Sequence, residues 1–180
     1  RFLYNDSVDS TFGKGGRIIL KAGEKHVDAY DMELTSDSLL IVHGYEDTAK
    51  VVLAVTADGR PLTKFGLNGA SRIMTPGYGW SAIGSGAGKV FVYGAYKDSA
   101  QFQVWRLNEN GHADSTYGRY GLNKFLHGGT SDKVKKVAAL AGGNFLAAGL
   151  TYDNRDYPFH FFFRKYKSNG AVDESFGEKG

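Results

Sequence analysis

Cysteine is absent from the 180 residues, so disulfide staples and thiolate zinc sites are excluded at once. That absence suits the cytosol and equally an exported bacterial protein that avoids thiols. Proline is scarce, 3 residues in all, which argues against a proline-rich linker. Long apolar runs are missing too. The run from Phe159 to Phe163 is broken by His160 and followed by Arg164-Lys165, and no run approaches the ~20 residues of a spanning helix. Nor does one sign of charge dominate. The 22 Lys and Arg are interleaved with 19 Asp and Glu, for a net charge of +3, so the basic stripe of a nucleic-acid binder is not there. The five histidines (26, 43, 112, 127 and 160) show no His-x-Glu-x-x-His or similar ligand spacing, and neither a metal nor any other cofactor is expected. The first residue is Arg1 rather than Met, and the opening residues carry no targeting information.

What the chain has in excess is glycine, 25 residues, together with 14% aromatics. Glycine at roughly twice its average usage beside many aromatics points to tight turns between β-strands. One such stretch, "VDSTFGKGG" from Val8 to Gly16, suggests an acid beside a nucleophile until it is seen to recur. Its Phe12-Gly13 returns as Phe65-Gly66, Tyr117-Gly118 and Phe176-Gly177. Seven positions before each aromatic stands Asn5, Asp58, Asn110 or Asn169, followed by Asp6, Gly59, Gly111 or Gly170. Three before it stands Asp9, Asp114 or Asp173, and in the second copy Leu62. A second landmark, an apolar run ending in glycine, keeps register inside each unit: "LLIVHGY", "VFVYGAY" and "FLAAGLT".

Each unit resolves into four β-like segments. The first offers 17–21, 27–35, 38–45 and 49–56, the second 71–75, 78–84, 89–96 and 101–107, and the third 122–126, 133–140, 144–152 and 157–166. In "QFQVWRL" the alternation puts Phe102, Val104 and Arg106 on one side and Gln101, Gln103, Trp105 and Leu107 on the other. "DKVKKVAAL" alone has helical periodicity, but the register of the repeat makes it a strand. Four strands in a unit of about 50 residues, repeated, is the pattern of β-propeller blades, which stack because one sheet cannot bury both its faces alone. The expected class is therefore all-β. Residues 1–16 form the end of a preceding blade and its connection, 17–70 the first blade, 71–121 the second, and 122–180 the third with a connection onward.

"NENGHADSTYGRYG" and "KSNGAVDESFGEKG" resemble the delta-60 repeat of bacterial β-propellers, Asn-x-Gly-x-x-Asp-x-x-Phe-Gly-x-x-Gly, and the likeness runs through almost the whole chain. The resemblance implies a secreted or cell-surface propeller and transfers no catalytic residue. Propellers close with about four to eight blades. Three blades therefore call for partners, either further blades of a longer chain or a second copy, six blades from two chains being the simplest closure.

The recurrence decides the candidate site residues. Catalysis needs an acid once, whereas Asp9, Asp114 and Asp173 recur, so they are expected to bond backbone N–H groups in the turn. The aromatic (Phe12, Phe65, Tyr117, Phe176) packs between blades, and the glycine after it (Gly13, Gly66, Gly118, Gly177) lets the chain pass closely. "GSGAGK" lacks P-loop spacing and precedes a strand, so it reads as a hairpin. Two sets remain as binding candidates. Arg17, Arg72 and Lys124 lie near the start of the strand expected to line a central channel, where they would form a positive funnel for an anion. Tyr78 and Trp80 are aromatics of the kind that stack on sugar rings or anchor a protein partner. The expected function is a non-enzymatic binding or adhesion module of an exported bacterial protein, with a glycan, anion or protein as ligand and no nucleic acid. The alternatives are a propeller-type glycosidase or lactonase, and a spacer without a ligand.

Overall fold

The computed structural model describes residues 1–21, 27–35, 38–46, 49–74, 81–84, 88–95, 101–126, 133–152 and 159–178. Within them the chain is all-β, with a single 3-10 turn at Ala141–Gly143 and no α-helix. Three antiparallel sheets follow one another along the sequence. The first holds β1 (Val27–Leu34), β2 (Leu40–Glu46), β3 (Ala49–Val55) and β4 (Ala70–Ile73), in that order. The second repeats it with β5 (Ser81–Gly84), β6 (Val90–Ala95), β7 (Gln101–Leu107) and β8 (Leu122–Leu126). The third has three described strands, β9 (Lys133–Ala139), β10 (Phe145–Tyr152) and β11 (Phe159–Tyr166), with β10 in the middle. The segment with helical periodicity is thus a strand, β9, paired with β10 through Ala138↔Leu146 and Val137↔Ala147.

The grouping of strands differs from the one the spacing suggested. The strand beginning at Ser71 was expected to open the second unit, yet it pairs back onto β3 through Leu53↔Ala70, Val52↔Ser71 and Lys50↔Ile73. The strand at 122–126 likewise pairs back onto β7, through Trp105↔Leu122 and Phe102↔Phe125, and so belongs to the second sheet, not the third. The cause lies in the signature between these strands. Its two turns, with left-handed Gly59 and Gly66 in one copy and Gly111 and Gly118 in the next, reverse the chain onto the strand it has just left. Residues 17–21, expected as a strand of the first unit, belong to none of the three sheets. Arg17 makes one isolated bridge, with Lys14.

Burial follows strand alternation. On β7, Phe102 and Val104 enter the cluster shared with the third sheet, while Leu107 and Trp105 enter the one shared with the first. The second and third sheets meet across Phe91, Tyr93, Phe102, Tyr117, Phe125, Phe145 and Tyr166. A fully buried side chain of this size contributes about 2–3 kcal/mol. The first and second sheets meet across Ile41, Val52, Ala54, Phe65, Ile73, Val90, Val92 and Leu107. Leu20, from the N-terminal arm, packs on the remaining face of the first sheet with Val51, Leu53 and Ala70. Both faces of β3 are therefore covered, and all seven of its residues are buried. The first strands of the sheets, β1, β5 and β9, lie close together, β1 against β5 and β5 against β9.

Candidate functional site

The signature builds a corner. Asp114 Oδ1 accepts hydrogen bonds from Thr116 N at 3.0 Å and Thr116 Oγ1 at 2.6 Å. Asp9 receives the same pair from Thr11 at 3.0 and 2.5 Å, and Asp173 from Ser175 at 3.4 and 2.7 Å. The second carboxylate oxygen takes a cation from the residue eight positions earlier. Arg1 Nε lies 2.6 Å from Asp9, Arg106 Nε 3.0 Å from Asp114, and Lys165 Nζ 2.8 Å from Asp173, with Lys89 also 2.8 Å from Asp114. The Thr11 hydroxyl and Arg1 hold the Asp9 carboxyl down to about 2, and Lys165 with Ser175 does the same for Asp173. At Asp114 burial pulls upward, but Lys89, Thr116 and Arg106 outweigh it and keep the group well below the usual carboxylate range. Carboxylates locked in the ionised form this firmly are poor general acids or bases near neutral pH. Their recurrence and their bonding agree on a structural role.

The second copy keeps the frame without the charges. Leu62 replaces the Asp, and Ala54 stands where the others carry Arg1, Arg106 or Lys165. Leu62 N still donates to Ala54 O at 2.8 Å, as Asp114 N does to Arg106 O at 2.8 Å. The aromatic also keeps its place: Phe12, Phe65 and Tyr117 are buried, and guanidinium groups lie over two of the rings, Arg1 5.3 Å from Phe12 and Arg106 4.7 Å from Tyr117.

Successive corners touch one another. Gly13 N donates to Asp58 O at 2.9 Å, Gly66 N to Asn110 O at 2.6 Å, and Asn123 Nδ2 to Gly170 O at 3.1 Å. Gly111 shows why glycine is needed here: φ is +73°, and a Cβ would lie 2.7 Å from Gly66 N.

Where one corner meets the next, an open groove forms, and it recurs. The larger, about 1000 Å³, is lined by Thr11, Lys14, Arg17, Ile19, Asp58 and Arg60 among others. The smaller, about 400 Å³, occupies the equivalent place one unit on and includes Arg72, Met74, Trp105 and His112. Asp58, the carboxylate of the larger groove, accepts from Thr56 Oγ1 at 2.5 Å and pairs with Arg60 at 2.8 Å, which together hold it below its ordinary value.

The expected positive funnel is not what the strands form. Arg72 lies on β4 and Lys124 on β8, at the edges of their sheets farthest from β1 and β5, so neither stands on the first strand of its sheet. Arg72 pairs with Glu46 at 2.6 Å, and Lys124 is exposed. Arg17 instead lines the larger groove, where Lys14 and Arg60 join it. Tyr78 and Trp80 lie outside the described residues. Among the described residues no three His, Asp or Glu side chains converge as a metal site, and no helix is long and apolar enough to cross a membrane. The residues that spacing overlooked are Lys14 and Arg60, together with the corner cations Arg1, Arg106 and Lys165. The cations had a readable signal, standing eleven positions before the aromatic wherever the Asp is present. The groove had none, because two different units build it.

No family model matches the sequence, and no curated protein matches it either.

Proposed function

We propose that the chain is a non-enzymatic β-propeller module of the delta-60 type, exported to a bacterial surface, that binds an anionic glycan. The observation carrying this is the larger groove, where Lys14, Arg17 and Arg60 face a space of about 1000 Å³ and, among the described residues, Asp58 is the one carboxylate lining it. Cations gathered around an open, low-lying cleft raise the local concentration of anions and orient them. Exposed Lys and Arg can meet the spaced carboxylates or sulfates of a polysaccharide along such a cleft. A hydrolase of the retaining or inverting kind needs two carboxyl groups flanking the scissile bond. Among the described residues the groove offers one, already engaged by Thr56 and Arg60. The three repeated sheets, the stacked corners and the alternating burial support the propeller part of this reading, with Arg72 and the second groove as a weaker site of the same design.

The test is calorimetric titration with heparin as a sulfated probe and with a neutral dextran as control. Heparin should bind with an affinity that falls as salt rises, and Arg17→Ala with Arg60→Ala should weaken it roughly tenfold or more. Unchanged affinity in that double variant would remove the groove from the proposal. Turnover of an aryl glycoside would replace the module with an enzyme.

A further inference from the structure

The first three corners each end in the same two-residue hairpin. Lys14 bridges Arg17, Leu67 bridges Ala70, and Arg119 bridges Leu122. The two residues between have positive φ in every copy. They are Gly15-Gly16 at +62° and +84°, Asn68-Gly69 at +54° and +82°, and Tyr120-Gly121 at +55° and +81°. Glycine and asparagine are the residues such a turn calls for. Tyr120 holds a bulky side chain in the left-handed region, where it is an outlier.

Packing does not explain the tyrosine. Its ring is 76% exposed, with the Arg119 guanidinium 5.9 Å from its centroid. Exposure belongs to this position of the corner: Gly15 and Asn68 are exposed as well, and each has the next corner already in place. The third corner is no different, since Asn123 Nδ2 reaches Gly170 O of the fourth at 3.1 Å. A residue that strains its turn and adds nothing to the core is suited to a contact outside the chain.

The surroundings say which kind of contact. Two and seven positions after the signature aromatic, Lys14 and Ile19 line the larger groove, and Leu67 and Arg72 line the smaller. The same two positions after Tyr117 hold Arg119 and Lys124, both exposed. The third corner thus carries an exposed ring together with two cations, at the places that line a groove in the other two.

We infer that Tyr120 is a stacking platform for one sugar ring of an acidic polysaccharide. The face of the tyrosine takes the C–H side of the sugar, and Arg119 and Lys124 meet its carboxylate or sulfate groups. This platform rests on the anionic-glycan reading above and extends it from the larger groove to the third corner.

Tyr120→Gly is the informative variant, because glycine is what the first corner has in that place. It should melt at a higher temperature than the unaltered chain, since the strain in the turn is gone. Its affinity for heparin should nevertheless fall about fivefold, with the salt dependence unchanged because no charge is removed. Tyr120→Phe keeps the ring and should bind as the unaltered chain does. Unchanged affinity in Tyr120→Gly overturns the inference and leaves the groove reading standing. A lower melting temperature also overturns it, because the ring then serves the fold. Weakened binding in Tyr120→Gly but not in Arg17→Ala with Arg60→Ala keeps the platform and removes the larger groove. No heparin binding by the unaltered chain overturns both.

Discussion

The contact between the second and third sheets is mostly rings, and the contact between the first and second is mostly aliphatic. Phe145 stacks on Tyr166 at 4.7 Å between centroids and lies 5.4 Å from Phe91, while Phe102 stacks on Phe125 at 4.7 Å. At the matching positions of the first sheet the repeat places His43 for Tyr93, Lys50 for Phe102 and Ile73 for Phe125. His43 and Lys50 are fully buried all the same. Both ring nitrogens of His43 find no hydrogen-bond partner among the described residues, and the Lys50 ammonium lies 5.2 Å from the Tyr45 ring. One backbone plan thus tolerates two cores. Corners and strand register hold the sheets in place, and the side chains between them set how firmly they adhere.

The largest effect should come from the aromatic contact. Phe145→Ala removes a fully buried ring that touches Phe91, Tyr117, Phe125 and Tyr166, at a cost of about 3–5 kcal/mol. Val52→Ala, at the other contact, should cost clearly less because fewer atoms leave a smaller cavity. Urea unfolding of both variants checks the order. Equal losses would mean that the two contacts are equally strong and that the comparison fails.

Next comes the corner. Asp114→Ala leaves Arg106 and Lys89 facing each other without their carboxylate, and breaking such a buried pair costs about 3–5 kcal/mol. The second copy shows what relieves it, since Ala54 and Leu62 hold the same backbone bond without charge. Arg106→Ala combined with Asp114→Leu should therefore recover part of the loss. The recovery is incomplete because Arg106 also bonds Ser168 O and Thr116 Oγ1. A double variant no better than Asp114→Ala would show that the two corners are not interchangeable.

That pairing also marks what the sequence discloses and what it hides. The aromatic-glycine signature, the strand character of 133–139 and the structural role of Asp9, Asp114 and Asp173 all repeat, and repetition is visible without coordinates. Strand partnership is not, because 71–75 stands between two candidate neighbours and only the reversal through Gly59 and Gly66 selects β3. The misplacement of Arg72 and Lys124 follows from that single choice. Once their strands pair backward, they move from the first position of one sheet to the last position of the sheet before it. The groove around Lys14, Arg17 and Arg60 was out of reach for a related reason. Its walls are residues some 45 positions apart, brought together when Gly13 meets Asp58.

A third test sharpens the contrast by pH. Burial pushes His43 down from 6.5 to about 4, the nearby Asp31 pulling the other way and Lys50 adding to the shift. On its own sheet the Tyr45 ring lies 5.8 Å from it and Val52 stands opposite it on β3, and the window runs from about pH 4 to 6.5. In that window the unfolded chain binds a proton that the folded one refuses. Stability should be complete above pH 6.5 and fall as pH drops toward 4, by up to about 3 kcal/mol. His43→Phe should flatten this limb and leave the fall below pH 3.8 that belongs to Asp9 and Asp173, held at about 2. An unchanged pH profile in His43→Phe would place the acid sensitivity elsewhere.

The smallest effect concerns Lys50. Burial lowers its ammonium from 10.5 to about 8, so at neutral pH the folded chain keeps a charge in a place where Phe102 and Phe161 stand in the other two sheets. Between pH 8 and 10.5 the folded state has already released its proton and the unfolded state has not, so stability should rise with pH across that range. Lys50→Met fills the same volume without the charge. It should raise stability at pH 7 by about 1 kcal/mol and abolish the alkaline rise. The Tyr45 ring argues for a modest gain, because it favours the ammonium it would lose. If Lys50→Met destabilises the chain, the lysine is a positive contributor to the first contact, and the weaker of the two contacts owes its strength to charge.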